Sequence, residues 1–433
     1  MKKIILILFS FLAVFTGYPQ TQQTLTIDQA IRQAIAHNPL VEQATQGVNG
    51  ALARIEQNRS SYYPTSDVDL EYVRLSPVSE LAFPGLGEFQ LFSANNYDEH
   101  ISLKQTIYDF GKTSASIDLS QSAIASASIN VDVIKTNIAY QTIQTFYAML
   151  FLEKSIEVQD EQIDALLQHQ DVTKKKIDSG TATDFDTLTT RVRITTAQNK
   201  KFDLQNDFSK HEATLCRLLG LPPDSGIHPQ GEFDTRMLQL NTDSLVTLAN
   251  QQRLELKAAH DEENTAVLGE RVVSLNDKPS VKFNMMYGLK NGFFPDMDVL
   301  RGNWVFGLDA NIPIFNGFKT HNQEQEAVAM RMATEARTRD LERTVVSEVR
   351  QALSDVRTNI LKIQSSTSQV DQAKQALALA NLRYETGVAT NLDVIDAQTN
   401  VSQSELSHLD ALYNYVLSRY ALEKAVGDSL AAR

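Results

Sequence analysis

Gly180-Thr181-Ala182-Thr183-Asp184-Phe185-Asp186 returns later in the chain as Gly387-Val388-Ala389-Thr390-Asn391-Leu392-Asp393, an offset of 207 positions (387 against 180). Self-similarity at a fixed period constrains a fold before any local pattern does. At the same offset Ile107-Tyr108-Asp109 falls on Ile314-Phe315-Asn316, and Leu219-Gly220 on Val426-Gly427. Further upstream the offset becomes 215 (278 against 63): Tyr63-Pro64-Thr65 aligns with Lys278-Pro279-Ser280, and Val68, Leu70 and Tyr72 with Phe283, Met285 and Tyr287. Ala30-Ile31 then falls on Leu245-Val246, and Val41 and Ala44 on Leu256 and Ala259. The change of offset lies between two strands of the first unit, where a surface loop lengthens freely. The chain reads as a tandem duplication: a first repeat over 24–222, a joint over 223–242 beside Pro222, Pro223 and Pro229, a second repeat over 243–428 and a short tail over 429–433.

The opening motif is a helix reversal. Gly180 and Gly387 suit the left-handed residue that ends a helix. Thr183 and Thr390 can cap the returning helix, with Asp186 and Asp393 three residues on as capping-box partners. Between Gly111 and Gly180, and again between Gly317 and Gly387, there is no proline or glycine. Each such segment, unbroken, is a helix about 100 Å long at about 1.5 Å per residue. Ile117, Ile124, Val131 and Ile138 recur every seventh position, as do Val349, Val356, Ile363, Val370, Leu377 and Tyr384. That is a coiled-coil seam. A returning helix then runs to Gly220 or Gly427.

Ahead of the long helices the period changes to two. Val68, Leu70 and Tyr72 alternate with Asp67, Asp69 and Glu71; Ile101, Leu103 and Ile107 alternate with Ser102, Lys104 and Thr106. In the second unit Val281, Phe283, Met285 and Tyr287 alternate with Lys282 and Asn284, and Trp304, Phe306, Leu308, Ala310, Ile312 and Ile314 with Gly307, Asp309 and Asn311. Strands of about 10 residues with one apolar and one polar face suit an outer-membrane barrel. A soluble sandwich also alternates, but four strands set in so much helix do not build a sandwich core. Each unit opens with helices: Ile27, Ile31, Ala34 and Ile35 keep helical spacing, with Asp28 placed to cap, and a second helix follows Pro39.

Four strands cannot close a transmembrane barrel, which begins at about eight. An open edge cannot face lipid, so copies must join. Two copies give a barrel whose interior fills with side chains; three give 12 strands and an open lumen, continued by the long helices. The expected fold is therefore mainly α with a small β part: a tandem-repeat protomer of a trimeric 12-stranded outer-membrane β-barrel continued by a long coiled-coil α-helical barrel.

Composition agrees with export and removes other classes. Lys2 and Lys3 precede an apolar run, Ile4 to Phe15, too short to span a bilayer and expected to be a signal peptide over 1–20. A net charge of -13 argues against a nucleic-acid surface. The one cysteine, Cys216, forms no intrachain disulfide and reads as a small buried residue. No Walker A, G-x-G-x-x-G, G-x-S-x-G or H-E-x-x-H sequence occurs. His37, His100, His169, His211, His228, His260, His321 and His408 are scattered and read as surface residues. No catalytic residue, metal ligand or cofactor is expected, and Asp67, Asp69, Glu71, Lys104, Lys282 and Asp309 read as the wall of a lumen.

Leu25-Thr26-Ile27-Asp28-Gln29-Ala30 followed by Asn38-Pro39, then Pro313-Ile314-Phe315-Asn316-Gly317, then Tyr384-Glu385-Thr386-Gly387 running into Asn391-Leu392-Asp393-Val394-Ile395-Asp396-Ala397, together resemble the TolC outer-membrane efflux protein family over about Leu25 to Gly427. The resemblance implies a homotrimer in the outer membrane, reaching across the periplasm. It implies a passive duct of a tripartite efflux or type I secretion system, served by a periplasmic adaptor and an inner-membrane transporter of resistance-nodulation-division (RND) or ABC type. The strand loops, Ser76 to Asp98 and Leu289 to Asn303, would face outward. Asp393 and Asp396, on one helix face by i, i+3 spacing, match two acidic rings at the periplasmic entrance. Asp186 and Tyr384 match positions that bond across helices to hold it closed; the basic residue that usually reinforces this lock is replaced by Ala389. Gly180 and Thr181, with Gly387 and Val388, match the tips that meet the adaptor. The competing readings are a soluble periplasmic coiled-coil adaptor or scaffold, which has no use for four one-sided strands, and an exported hydrolase, for which no site is in sight.

Overall fold

The computed structural model describes residues 23–85, 87–223, 225–236, 241–428 and 430–432; the expected signal peptide at 1–20 lies outside the described residues. Strand β1 (Gln23–Leu25) leads into helices α1 (Ile27–His37) and α2 (Pro39–Arg59). Thr26, rather than Asp28, caps α1, in a capping box with Gln29. Asn38 caps α2 through its side chain, with Pro39 in the first turn, where its missing N–H is not needed. Strand β2 (Thr65–Arg74) follows, then a hairpin of β3 (Glu80–Phe83) and β4 (Gly87–Gln90), then β5 (Asn95–Tyr108). The hairpin lies in a stretch expected to be plain loop, and β5 begins six positions before the alternation becomes clear at Ile101. Its early residues Asn95, Asn96 and Asp98 carry little strand preference; pairing with β2 and β7 holds them extended.

Helices α3 (Lys112–Asp178) and α4 (Asp184–Leu219) complete the first unit. Strand β6 (Ile227–Pro229) pairs with β1 in parallel. Helices α5 (Thr242–Gln252) and α6 (Leu254–Ser274), strands β7 (Ser280–Lys290) and β8 (Arg301–Asn311), and helices α7 (Lys319–Glu385) and α8 (Asn391–Val426) then repeat the pattern. The duplication is metrically close: α3 and α7 each have 67 residues, α4 and α8 each 36. At about 1.5 Å per residue the longer pair reaches about 100 Å.

The expected seam is buried in part: Val131 and Ile138 on α3, and Val349, Val356 and Tyr384 on α7, are buried, while Ile117, Ile124, Ile363, Val370 and Leu377 are half-buried. The main core lies about the middle of the long helices, where α1, α5 and the joint wrap them. Ile31, Ile143, Phe146, Met149, Leu215, Leu219, Val349, Leu353 and Tyr415 meet there, and Cys216 is buried among them as expected. The joint is tied down by charge, since Arg419 bonds the Asp234 carboxylate at 2.7 Å and the Tyr415 hydroxyl donates to the Arg236 carbonyl.

The four long strands form one antiparallel sheet in the order β2-β5-β7-β8. The register places Val68, Ile101, Tyr287 and Trp304 in one row across it, and Ser66, Leu103, Met285 and Phe306 in the next but one. Residues in a row share a face. Between them, on the opposite face, run Asp67, Ser102, Met286 and Val305, and then Asp69, His100, Gly288 and Asn303. A bulge at Ile107 shifts the register, so Tyr108 rather than Ile107 faces Val281. Among the described residues strands β2 and β8 each have one unpaired edge, and the sheet does not close on itself.

Candidate functional site

Two regions carry the functional geometry: the two faces of the sheet, and the tips where the long helices reverse. On the sheet, apolar side chains stand in the open. Val68, Leu70, Ile101, Tyr287, Trp304, Phe306 and Leu308 are between 53% and 74% exposed, with no element among the described residues covering them. A contiguous apolar surface of that kind marks contact with a membrane or another protein. Aromatic pairs flank it: Tyr72 and Tyr97 at 5.1 Å, and Trp304 stacked on Phe306 at 5.5 Å. At the helix end of the sheet Tyr62, Tyr63, Tyr108, Phe110, Ile314, Phe315 and Phe318 are exposed. Phe110 and Phe318 both hold left-handed backbone (φ 54° and 62°) beside a left-handed glycine. This conformation is uncommon for a bulky residue and strains the turn. In both units it turns a large ring outward at the strand-to-helix junction, and amphipathic rings of this kind concentrate where hydrocarbon meets water.

The opposite face is mainly polar, with Met286 and Val305 among its residues. His100 lies 3.0 Å from Asp98 and 3.5 Å from Asp69; Lys290 bonds Asp98 at 2.7 Å, and Ser102 bonds Asp69 at 3.2 Å. Asn284 bonds Asp309 across β7 and β8. By register Asp67, Asp69, Glu71, Lys104, Lys282 and Asp309 all share this face. Gly288 sits in the same face where β7 comes closest to β5: a Cβ there would lie 2.0 Å from the Glu99 carbonyl oxygen and 2.5 Å from His100 Cα.

At the tips, Gly180 and Gly387 take left-handed backbone (φ 74° and 80°). The amide after each glycine bonds back to a carbonyl of the last turn, Thr181 to Lys176 and Val388 to Arg383, both at 2.8 Å. Gly180, Thr181, Gly387 and Val388 are all exposed. The Asp186 carboxylate accepts from Thr183 N at 2.9 Å, and the Asp393 carboxylate from Thr390 N at 2.7 Å. The Thr390 amide and hydroxyl hold the Asp393 carboxyl below the usual carboxylate range. Asp396, one turn on, pairs with Arg193 of α4 at 3.3 Å. Both aspartates are exposed, and one of them already has a counter-charge within the chain.

Helices α3, α4 and α8 meet at Asn391, which is 4% exposed. Its Nδ2 donates to the Asp186 carbonyl (3.2 Å) and to Thr190 Oγ1 (3.4 Å) on α4. Its Oδ1 accepts from His169 Nε2 (2.7 Å) and Thr173 Oγ1 (3.3 Å) on α3. All four hydrogen-bonding positions of the amide are therefore used. Tyr384 of α7 is buried, with its hydroxyl 3.4 Å from Thr173 Oγ1 and its ring 5.1 Å from the His169 ring. Lys176 donates to the Tyr384 carbonyl at 2.5 Å and stands 4.2 Å over its ring. A cleft of about 260 Å³ opens beside His169, Tyr384, Glu385 and Ile395. Leaving one such buried polar group unpaired costs about 1–3 kcal/mol, so these bonds favour one arrangement of the tips.

Asp186 and Tyr384 thus come to the same junction but do not bond each other within the chain; Asn391 and Thr173 join them. Where the resemblance implies a basic residue the chain has Ala389, and the cation that reaches Tyr384 is Lys176 of α3. His169 is a correction to the sequence reading, since it is held between Asn391 and Tyr384 rather than free at the surface. Asn391, Thr173, Thr190 and Lys176 were not singled out from sequence. Their one signal was broken symmetry: at the 207 offset His169, Thr173 and Thr190 fall on Ala376, Ala380 and Ala397, and Asn391 on Asp184, which is exposed.

Among the described residues no helix is long and apolar enough to cross a membrane, and no group of three His, Cys, Asp or Glu side chains is placed to hold a metal ion. A family model described as "Outer membrane efflux protein" matches residues 30–221 and 245–428, one stretch in each repeat. The outer membrane protein TolC of Escherichia coli (strain K12) is 20% identical over 99% of this chain and 87% of its own length. Nodulation protein T of Rhizobium leguminosarum bv. viciae is 22% identical over 94% of this chain and 83% of its own. Among solved structures, the CmeC outer membrane channel of Campylobacter jejuni superposes with a TM-score of 0.80 at 16% identity, over 93% of this chain and 86% of that one. The outer-membrane channel OprN superposes with a TM-score of 0.78 at 15% identity, over 94% and 90%.

Proposed function

The chain belongs to the outer membrane efflux protein family, and from that premise we propose how its residues make a duct. It is an outer-membrane efflux channel that extends into the periplasm. Three copies close the barrel, with β8 of one protomer pairing with β2 of the next to give 12 strands. The residues 24–222 and 243–428 then act as two similar wedges, and three chains supply six. The apolar face of the sheet meets outer-membrane lipid and its polar face lines the lumen. The long hairpins continue the wall below the membrane, and their tips form the periplasmic entrance.

Asp393 and Asp396 would each form a ring of three carboxylates there, and Gly180, Thr181, Gly387 and Val388 would meet a periplasmic adaptor. An inner-membrane transporter, of RND or ABC type, would load the duct; the channel itself performs no chemistry. The observation that carries this reading is the sheet: four strands, one exposed apolar face and two unpaired edges. A soluble scaffold would have to leave that face in water. Fractionation tests it. The expected result is retention on membranes through high salt and release only with detergent; release by salt alone would refute the channel.

A further inference from the structure

We propose that neighbouring copies are joined along the shaft of the helical wall by a charge-coded seam, with α4 of one chain lying antiparallel on α7 of the next in a single register. This rests on the channel reading above and names the residues by which copies meet below the membrane. Within the chain α4 packs on α3, α3 on α8 and α8 on α7, so α4 and α7 are the two ends of the row. Each keeps an outer side that no described element covers.

Those outer sides share a pattern. On α4, Val192, Thr195, Asn199, Phe202, Asn206 and Ser209 recur at alternating steps of three and four residues, and all are exposed. On α7, Thr358, Leu361, Ser365, Ser368, Gln372 and Gln375 do the same. That is the spacing of a coiled-coil seam. Neither stripe holds a charge, although 21% of the chain is charged. A helix face bathed in water has no reason to exclude charge over such a length; one that meets another helix does.

The tips set the heights. Asn391, the first residue of α8, bonds the Asp186 carbonyl in the first turn of α4, so α4 begins level with the end of α7. From there α4 runs away from the tip while α7 runs toward it, at about 1.5 Å per residue. A threefold axis along the wall carries those heights to the next copy. To within about one turn, Phe202 is then level with Ser365 and Ser368, and Leu361 with Asn206 and Ser209, large side chains against small. Charges flank the stripes at the positions that face each other across a helix pair. Arg357 meets Glu212, Lys362 meets Asp203 and Asp355 meets Lys210, each a pair of opposite sign. Among the described residues Asp203, Asp355, Arg357 and Lys362 are exposed and enter no ion pair within the chain. Lys210 pairs with Asp207 of its own helix at 2.9 Å, and Glu212 accepts from the Ile227 amide. A slip of seven residues keeps the uncharged stripes together but sets Lys362 against Lys210 in one direction and Asp355 against Asp203 in the other. The flanking charges thus select one register and fit a second copy of this chain.

Disulfide capture in the full-length protein, purified in detergent, tests the seam. Cysteines link only when their Cα atoms come within about 7 Å. Asn206→Cys with Leu361→Cys should give species of two and three chains on a non-reducing gel, returned to one by reductant. Either cysteine alone should not, nor should Val192→Cys with Leu361→Cys, which lie about 24 Å apart in height. Lys362→Glu should lower the temperature at which trimers come apart by a few degrees, and adding Asp203→Lys to it should restore most of the loss. Trimers whose paired cysteines stay free, or link equally in the Val192 control, would overturn the seam and leave the channel reading standing. An equal loss in the double charge reversal would overturn the charge-set register. A wild-type preparation of single chains alone would refute the channel reading, and the seam with it.

Discussion

Asp393 has two roles that pull its carboxyl in opposite directions. Within one chain it closes the capping box of α8, and the Thr390 amide and hydroxyl favour the ionised form. In the proposed trimer it would face two copies of itself around a threefold axis, where like charges favour the neutral form. Asp396 is tempered differently, by Arg193 across the helix pair. The pair should therefore bind multivalent cations but yield to a modest change. We expect Asp393→Asn with Asp396→Asn to weaken block by a trivalent cation roughly tenfold or more, while asparagine keeps a capping oxygen. Conductance titrations with the cation check this; an unchanged blocking concentration would remove these aspartates from the entrance. At the same scale, the bonds that join the tips were not legible in the sequence. Asp186 and Tyr384 were legible as tip residues, but the group that joins them is a neutral asparagine at a helix start. Such a residue is unremarkable until four partners converge on it.

At the scale of elements, the sheet depends on close approach as much as on alternation. Gly288 lets β7 press against β5 at His100, where an added Cβ would meet backbone atoms that cannot swing aside. Gly288→Ala should move the strands apart and destabilise the β-domain by roughly 1–3 kcal/mol or more. Gly307→Ala on β8, where a Cβ has open space, should be milder. Thermal unfolding of the two variants in detergent gives the comparison, and equal midpoints would contradict it. The long helices were legible because their signals agree: no proline or glycine, a seven-residue apolar recurrence, and a glycine at either end, followed at the tips by the capping boxes of the returning helices. The four long strands were legible from alternation. The β3–β4 hairpin was not, because four-residue strands beside Pro77, Pro84 and Gly85 leave no periodicity to read. The β1–β6 pair was not legible either, because its partners lie some 200 residues apart and it spans three residues a side. Of the site, the tips and their glycines were visible; the cross-helix bonds were not, since sequence spacing cannot say which helices pack together.

For the whole molecule, one physical requirement organises the rest. A sheet with an apolar face in lipid cannot leave its edges open, because unpaired N–H and C=O groups in hydrocarbon cost several kcal/mol each. Edges β2 and β8 are unpaired in the single chain, and the faces they border are already sorted into apolar and polar. Association is thus a condition of folding in the membrane rather than a later event, and the duplicated helices inherit the symmetry the barrel sets. Native mass spectrometry of the full-length protein released from detergent micelles tests this most directly. The account predicts a single species containing three chains; a stably folded species containing one chain would contradict it.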